Sequence, residues 1–215
     1  MISDSSPLIH LVRLGKINYL LKVTGQITIP KAVYDEVVIE GKKKNYMDSV
    51  IVENLINEGK IIVSSLKPFD ESNYPPLGRG ELESLELAKQ QDAIIIIDEK
   101  RARNVAQLMG LNHQTTIVTI FELLITKALG KQEYKHNIKR IGESSWISAD
   151  VVAEYLERGE TLGSEALDYH PRRYEEGDRA NQGPLARGSV HVGSPAASQE
   201  HHRGKARHRH QGLRG

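Results

Sequence analysis

Five consecutive apolar residues near the middle of the chain constrain its fold most strongly. Ala93 is followed by four isoleucines, and Asp98 ends the run. A short run of this kind, rich in β-branched residues and without polar alternation, is typical of a central strand of a parallel sheet, buried on both faces. Helical periodicity precedes it over 81–91 and follows it over 99–109. The sequence therefore predicts a βαβ unit in which Asp98 lies at the carboxyl end of a buried strand.

The rest of the first three quarters continues this alternation of strands and helices. A very short apolar stretch ends at Asp4, and Ser6 followed by Pro7 predicts the N-cap and first residue of a helix. Further strands are predicted at 26–29 and 60–66. Further helices are predicted at 17–23, 31–39, 47–58, 117–129, 134–141 and 149–158. The predicted class is α/β with a parallel sheet.

The last quarter of the chain differs in composition from the rest. None of the 20 isoleucines lies after residue 147, whereas six of the nine histidines lie after residue 169. Such a segment buries too little apolar surface to offset the ordering of its backbone. We therefore predict a folded domain over residues 1–160 and a disordered, Arg/His/Gly-rich tail over residues 161–215. The tail could bind metal or RNA weakly or have no function, and a change of reading frame or a read-through would leave the same composition.

Composition excludes several classes of protein. The chain has no cysteine, which excludes disulfide frameworks and thiolate zinc sites and favours the cytosol. No apolar run approaches the 18 or so residues of a membrane-spanning helix, so no membrane partner is expected. A net charge of +1 argues against a strongly basic protein that coats nucleic acid, but it allows a local basic surface. A cytoplasmic location is predicted.

Four acidic residues fall where the predicted topology brings them to one edge of the sheet. Asp4 and Asp98 directly follow predicted strands. Glu81 lies in the first turn of the helix before the Ile-rich strand, and Glu36 in the second turn of the helix after strand 26–29. Helices of a βαβ unit run antiparallel to its strands, so both helices start at the carboxyl edge, where ligands bind in open α/β sheets. Taken singly, each acid is also compatible with a helix cap, a first-turn acid or a surface residue.

Carboxylates that crowd together remain ionised only with a compensating cation. Oxygen-only ligands suit Mg²⁺ or Mn²⁺, and such ions activate water and stabilise the leaving oxygen in phosphodiester cleavage. Four basic residues near these acids are candidates for binding phosphate, although each could equally be plain surface charge: Arg79, Lys100, Arg101 and Arg103. We expect Asp35, Glu83, Glu86 and Glu99 to be solvated, and the three histidines of the domain to be structural or on the surface.

Four segments, in this order and spacing, resemble the motifs of the PIN domain family. They are most similar to a VapC-like prokaryotic branch whose first motif reads Asp-Ser-Ser-Pro-Leu-Ile. The matching segments are 2–9, 29–37, 80–88 and 97–103. The resemblance implies a three-layer α/β/α fold with a five-stranded parallel sheet. It also implies Mg²⁺- or Mn²⁺-dependent endoribonuclease activity, often as the toxin of a toxin–antitoxin pair, with RNA as substrate, an antitoxin as possible partner and a homodimer as the usual assembly.

By the same resemblance, the catalytic and metal-binding acids are Asp4, Glu36, Glu81 and Asp98. Ser5 matches a supporting hydroxyl residue that bonds to the first acid or to a metal-bound water, and Glu99 matches a frequent extra acid. The four basic residues named above are then candidates for binding RNA. The chain departs from the branch after Gly110, where segment 114–119 lacks the usual Gly-Thr-x-Gly pattern.

Two other functions stay open on the sequence. A non-catalytic PIN-like module would bind RNA or a protein, although the presence of all four acids favours the enzyme. A phosphatase of the haloacid dehalogenase type is a weaker alternative, because it requires Asp-x-Asp after the first strand and this chain has Asp4-Ser5-Ser6.

Overall fold

A computed structural model of the chain describes residues 1–144 and 147–162. At its centre lies a sheet of five strands in the order β3-β2-β1-β4-β5. Every pairing is parallel. The strands are β1 (Ile2–Ser3), β2 (Ile27–Pro30), β3 (Ile61–Ser64), β4 (Ile95–Ile96) and β5 (His113–Gln114). The predicted α/β class and five-stranded parallel sheet are confirmed.

Helices cover both faces of this sheet, as parallel strands require. A π-helical turn, Asp35–Glu40, joins α3 to α4, and a short 3₁₀ turn, Glu71–Asn73, precedes α6. The helices are α1 (Ser5–Arg13), α2 (Ile17–Thr24), α3 (Lys31–Tyr34), α4 (Gly41–Lys43), α5 (Met47–Asn57), α6 (Arg79–Gln91), α7 (Lys100–Leu108), α8 (Thr116–Ile125), α9 (Lys131–Ser144) and α10 (Ala149–Thr161).

The alternating side chains of the strands divide the core into two layers. Ile95 and Ile97 pack with Leu85 of α6 and Ala102 of α7 on one face. Ile96 packs on the other face, in a larger cluster to which α1, α2, α5, α8, α9 and α10 contribute. The three-layer α/β/α arrangement follows from this division.

Three local differences from the sequence predictions concern the helices and the strand that flank the acids. Helix α1 begins at Ser5, two residues earlier than predicted, so Asp4 and not Ser6 holds the N-cap position. Ile94 is 43% exposed, so the doubly buried run is Ile95–Ile97 and not all five residues. The predicted helix 31–39 extends to residue 43 and widens into the π-helical turn at its centre.

The carboxyl ends of β1 and β4 lie side by side at the point where the strand order reverses. Ser3 is paired with Ile96, and the Asp4 N–H donates to the Ile96 carbonyl at 3.1 Å. Crevices at such reversal points are where open α/β sheets bind ligands. The topology therefore brings the residues that follow both strands, Asp4 and Asp98, to one edge.

The prediction of a disordered tail over 161–215 concerns residues that, from 163 onwards, lie outside the described part of the chain. Over residues 1–144 and 147–162, no helix combines the length and apolar character needed to cross a membrane.

Candidate active site

An acidic cleft of about 540 Å³ opens at the carboxyl edge of the sheet. Three of the four predicted acids line it, together with the predicted Ser5 and Arg79. We use the name acidic cleft for the space lined by Asp4, Ser5, Ser6, Ala32, Asp35, Glu36, Glu40, Gly78, Arg79, Gly80 and Glu81.

The first turn of α6 packs directly against the oxygens of this cleft. A Cβ atom built on Gly80 would lie 3.1 Å from Glu36 Oε2, 3.4 Å from Ser5 Oγ and 3.5 Å from Asp4 Oδ1. The Ser5 hydroxyl also donates to Glu36 Oε2 at 2.7 Å. Three oxygens, two from the adjacent residues Asp4 and Ser5 and one from Glu36, thus surround one point beside the backbone of α6, and glycine is the residue that leaves room for them.

Glu81 is the residue after Gly80 in α6, and it also lines the cleft. Its Oε2 accepts a hydrogen bond from the Gly78 N–H at 2.8 Å, which satisfies a donor at the start of the helix. Glu81 therefore combines the first-turn role expected from the sequence with a place in the acidic cleft.

The electrostatics of the cleft centre on Asp4, which is only 4% exposed. Burial raises the pKa of its carboxyl from 3.8 to about 7. The Ser5 N–H opposes this rise, whereas the neighbouring charges of Glu81, Glu36 and Asp98 add to it. The three other predicted acids therefore all act on Asp4, and at neutral pH a cation in the cleft would favour the ionised form of Asp4.

Asp98 is buried and held by protein donors, and it does not line the acidic cleft. Its Oδ1 accepts from the Thr116 N–H at 2.7 Å, and its Oδ2 from the Thr116 hydroxyl at 2.6 Å. His10 Nδ1 lies 3.1 Å from the same Oδ2. Asp98 is not the N-cap of α7, because Glu99 holds that position. Its hydrogen bonds to Thr116 instead tie the end of β4 to the start of α8.

Within the described ranges 1–144 and 147–162, no group of three or more acidic or histidine side chains is already arranged to hold a metal ion. Glu36, Glu81 and Asp98 each accept a hydrogen bond from a donor of the protein itself, from Ser5, Gly78 and Thr116 respectively. The oxygen-only donor set nevertheless suits Mg²⁺ or Mn²⁺ in kind. The buried Asp4 among like charges is the group whose ionised form such an ion would stabilise.

The predicted RNA-binding residues occupy two places. Arg79 lines the acidic cleft with an 85% exposed side chain, and its Nε donates to Glu83 at 3.0 Å. Lys100 and Arg101 are exposed in the first turn of α7, and Arg103, two residues after Arg101, is half-buried. The three residues of α7 follow Asp98 in the chain, but they do not line the cleft.

Two acids expected to be solvated are structural, and that expectation was wrong. The Glu83 carboxylate accepts from the Ala32 N–H at 2.9 Å and so binds the start of α3, the segment that leads to Glu36. Glu86 is only 4% exposed and accepts from the Tyr74 hydroxyl, which fastens the loop before α6 onto that helix.

His10 and Thr116 are the site residues that the sequence did not indicate. Both contact Asp98, from sequence separations of 88 and 18 residues. No local pattern marks them, because the contacts arise only when α1 and α8 pack beside the end of β4.

A comparison with models of known families matches most of the chain. A family model described as a PIN domain matches residues 1–161. The chain belongs to the PIN domain family. Searches of curated proteins and of solved structures gave no significant match. The resemblance predicted from the four motifs is thus confirmed, and it makes the chain a nuclease-type module, from a family whose nucleases typically use divalent metals.

Proposed function

We propose that this PIN domain protein is a Mg²⁺- or Mn²⁺-dependent endoribonuclease that hydrolyses RNA phosphodiester bonds. The observation that carries the proposal is the buried Asp4 carboxyl among three other acids at the reversal point of the sheet. Burial together with the charges of those acids raises its pKa to about 7. An isolated protein gains nothing from gathering like charges in this way, whereas a cation-binding site needs it.

The proposed cation ligands come from the acidic cleft: Asp4, Glu36 and Glu81, with Asp98 as the fourth acid. A bound divalent ion would supply an activated water and would stabilise charge on the leaving oxygen. Ser5 orients Glu36 through its 2.7 Å hydrogen bond. Gly80 keeps the wall of the cleft free of side-chain atoms, so that a phosphate can approach the carboxylates closely.

The proposed RNA surface lies on both sides of these acids. Arg79 stands at the cleft, where its guanidinium can contact a phosphate next to the scissile bond. Lys100, Arg101 and Arg103 on α7 would bind the phosphates further along the strand. Without these basic side chains the acids would repel an RNA backbone, so RNA binding needs the basic residues as well as the acids.

We further propose that the nuclease is the toxin of a toxin–antitoxin pair, acts in the cytosol as a homodimer, and is blocked by an antitoxin protein. These proposals extend the family resemblance, and co-purification and light scattering of the full chain test them. A small reading frame next to the gene whose product inhibits cleavage would support the antitoxin.

Cleavage of a labelled single-stranded RNA tests the catalytic proposal. The wild type is compared in Mg²⁺, Mn²⁺ and EDTA with the Asp4→Asn and Glu81→Gln variants. We expect cleavage only with a divalent ion. The variants should lose more activity than the roughly 10–100-fold that loss of an outer-shell partner costs. Glu53→Gln is the matched control, because Glu53 pairs with Lys42 on the exposed side of α5, outside the acidic cleft.

Equal cleavage by wild type and Asp4→Asn would contradict the catalytic proposal. RNA binding by the wild type that is independent of metal and unaccompanied by cleavage would favour the non-catalytic module instead.

A further inference from the structure

Asp98 receives a contact that neither the motifs nor the proposed chemistry requires. His10 lies on α1, with a side chain that is 23% exposed, and its Nδ1 stands 3.1 Å from Asp98 Oδ2. An ionised carboxylate only accepts hydrogen bonds, so Nδ1 is the donor of this pair when Asp98 is ionised. The assignment holds for the neutral tautomer protonated at Nδ1 and for the cation alike.

The acceptor sites of Asp98 are almost fully used. A carboxylate oxygen has about two acceptor sites. On Oδ2 one is taken by the Thr116 hydroxyl at 2.6 Å and the other by His10. On Oδ1 one is taken by the Thr116 N–H at 2.7 Å. Counting the donors of the described residues 1–144 and 147–162, a single acceptor site, on Oδ1, is left.

His10 also connects the two acids that follow adjacent strands. Asp4 holds the N-cap position of α1, and His10 lies six residues further along the chain, on the same helix. The two donors of Thr116 both come from the start of α8. The His10 contact is thus the one described hydrogen bond that holds the Asp98 carboxylate to the helix of Asp4.

We propose that His10 is a positioning residue of the acidic site: it fills the second acceptor site of Oδ2, fixes the rotation of the Asp98 carboxylate, and leaves Oδ1 alone to face a divalent cation or a water bound to it. This inference rests on the proposed function. It adds to it a residue that acts through Asp98, and it states which oxygen of Asp98 takes part. Loss of such an outer-shell partner typically weakens metal affinity or activity 10–100-fold.

Substitutions at His10 test the position of the donor. Asparagine places its amide nitrogen three bonds from Cα, as Nδ1 is, whereas glutamine places it four bonds away.

Mn²⁺ affinity of the full chain is measured from the electron paramagnetic resonance signal of free Mn²⁺, and folding from urea denaturation in EDTA. Asp4→Asn gives the background due to histidines elsewhere in the chain. His113→Asn is the control, because His113 Nδ1 bonds to the Leu111 carbonyl and not to an acid.

We expect His10→Ala and His10→Gln to weaken Mn²⁺ binding at least about 10-fold. His10→Asn and His113→Asn should stay within about 3-fold of the wild type. The Asn/Gln contrast decides the matter even if His10→Ala fails to fold, because both amides are polar and similar in size to the imidazole.

Two results would overturn the inference while leaving the proposed function standing. One is wild-type affinity in both His10→Gln and His10→Ala, and the other is an equal loss in His10→Asn and His10→Gln. A wild type that binds Mn²⁺ no better than Asp4→Asn would instead remove the cation site, and the inference with it.

Discussion

Replacing Asp4 by asparagine isolates the cost of burying its charge. Burial is the main cause of the rise in its pKa from 3.8 to about 7, and the three neighbouring acids add to it. Asparagine has nearly the same shape and cannot ionise. In the absence of divalent ions, the variant is therefore expected to be more stable than the wild type at neutral and alkaline pH.

The size of this stability difference, and the pH range over which it develops, follow from proton linkage. One pKa unit corresponds to about 1.4 kcal/mol, so a rise from 3.8 to about 7 costs the folded wild type up to about 4 kcal/mol once Asp4 is ionised in both states. The folded state binds the proton more tightly than the unfolded state. The wild type therefore loses this stability as the pH rises from about 4 to about 7, and below pH 4 it has no penalty.

Urea denaturation in EDTA at several pH values between 4 and 8 measures the difference. The stabilisation by Asp4→Asn should be largest at pH 8 and fade toward pH 4. Asp92→Asn, at an exposed position, is the control and should change stability by less than about 0.5 kcal/mol. Mn²⁺ should stabilise the wild type and not the variant. An Asp4→Asn variant that is less stable than the wild type at pH 8 would refute the reasoning.

Three further perturbations have defined outcomes. Gly80→Ala should leave the melting temperature unchanged or higher, because alanine favours helix more than glycine does. It should nevertheless weaken Mn²⁺ affinity about 10-fold, because its Cβ would lie 3.1 Å from Glu36 Oε2 in the cleft. Unchanged affinity would contradict this. Gly159→Ala should cost about 1–3 kcal/mol or more in urea denaturation, because its Cβ would overlap the buried ring of Tyr134. Changing Lys100 and Arg101 together to alanine should reduce the slope of log RNA affinity against log salt by about 1.4 in a filter-binding assay, and an unchanged slope would place the RNA elsewhere.

The sheet and its acidic edge were predictable because their signals are local. Ile95 to Ile97 are fully buried, as an uninterrupted apolar run followed by an acid predicts. The direction of helices in a βαβ unit then brings Glu81 to the same edge as Asp4. Strand β5 gives no such signal, because it has only two residues and one of them is a glutamine.

The features that were mispredicted depend on contacts that no local pattern encodes. Glu86 looks like a solvated helix acid until Tyr74, from the preceding loop, covers it. Ser6 looks like a helix cap, but the chain already turns at Asp4, whose N–H is fixed by β4. The partners of Asp98 lie on α1 and α8, far from it in sequence, and they were found only in the structure.

The adjacency of β1 and β4 also determines when a growing chain can complete its acid cluster. Asp4 is synthesised before Asp98, and Asp98 is synthesised before Thr116, whose two donors hold its carboxylate. Closing the long loop between Asp4 and Asp98 is slow compared with forming the local helices. A translation product that stops short of α8 therefore carries the early acids without the assembled cluster, so synthesis itself delays the formation of the site until most of the domain has been made.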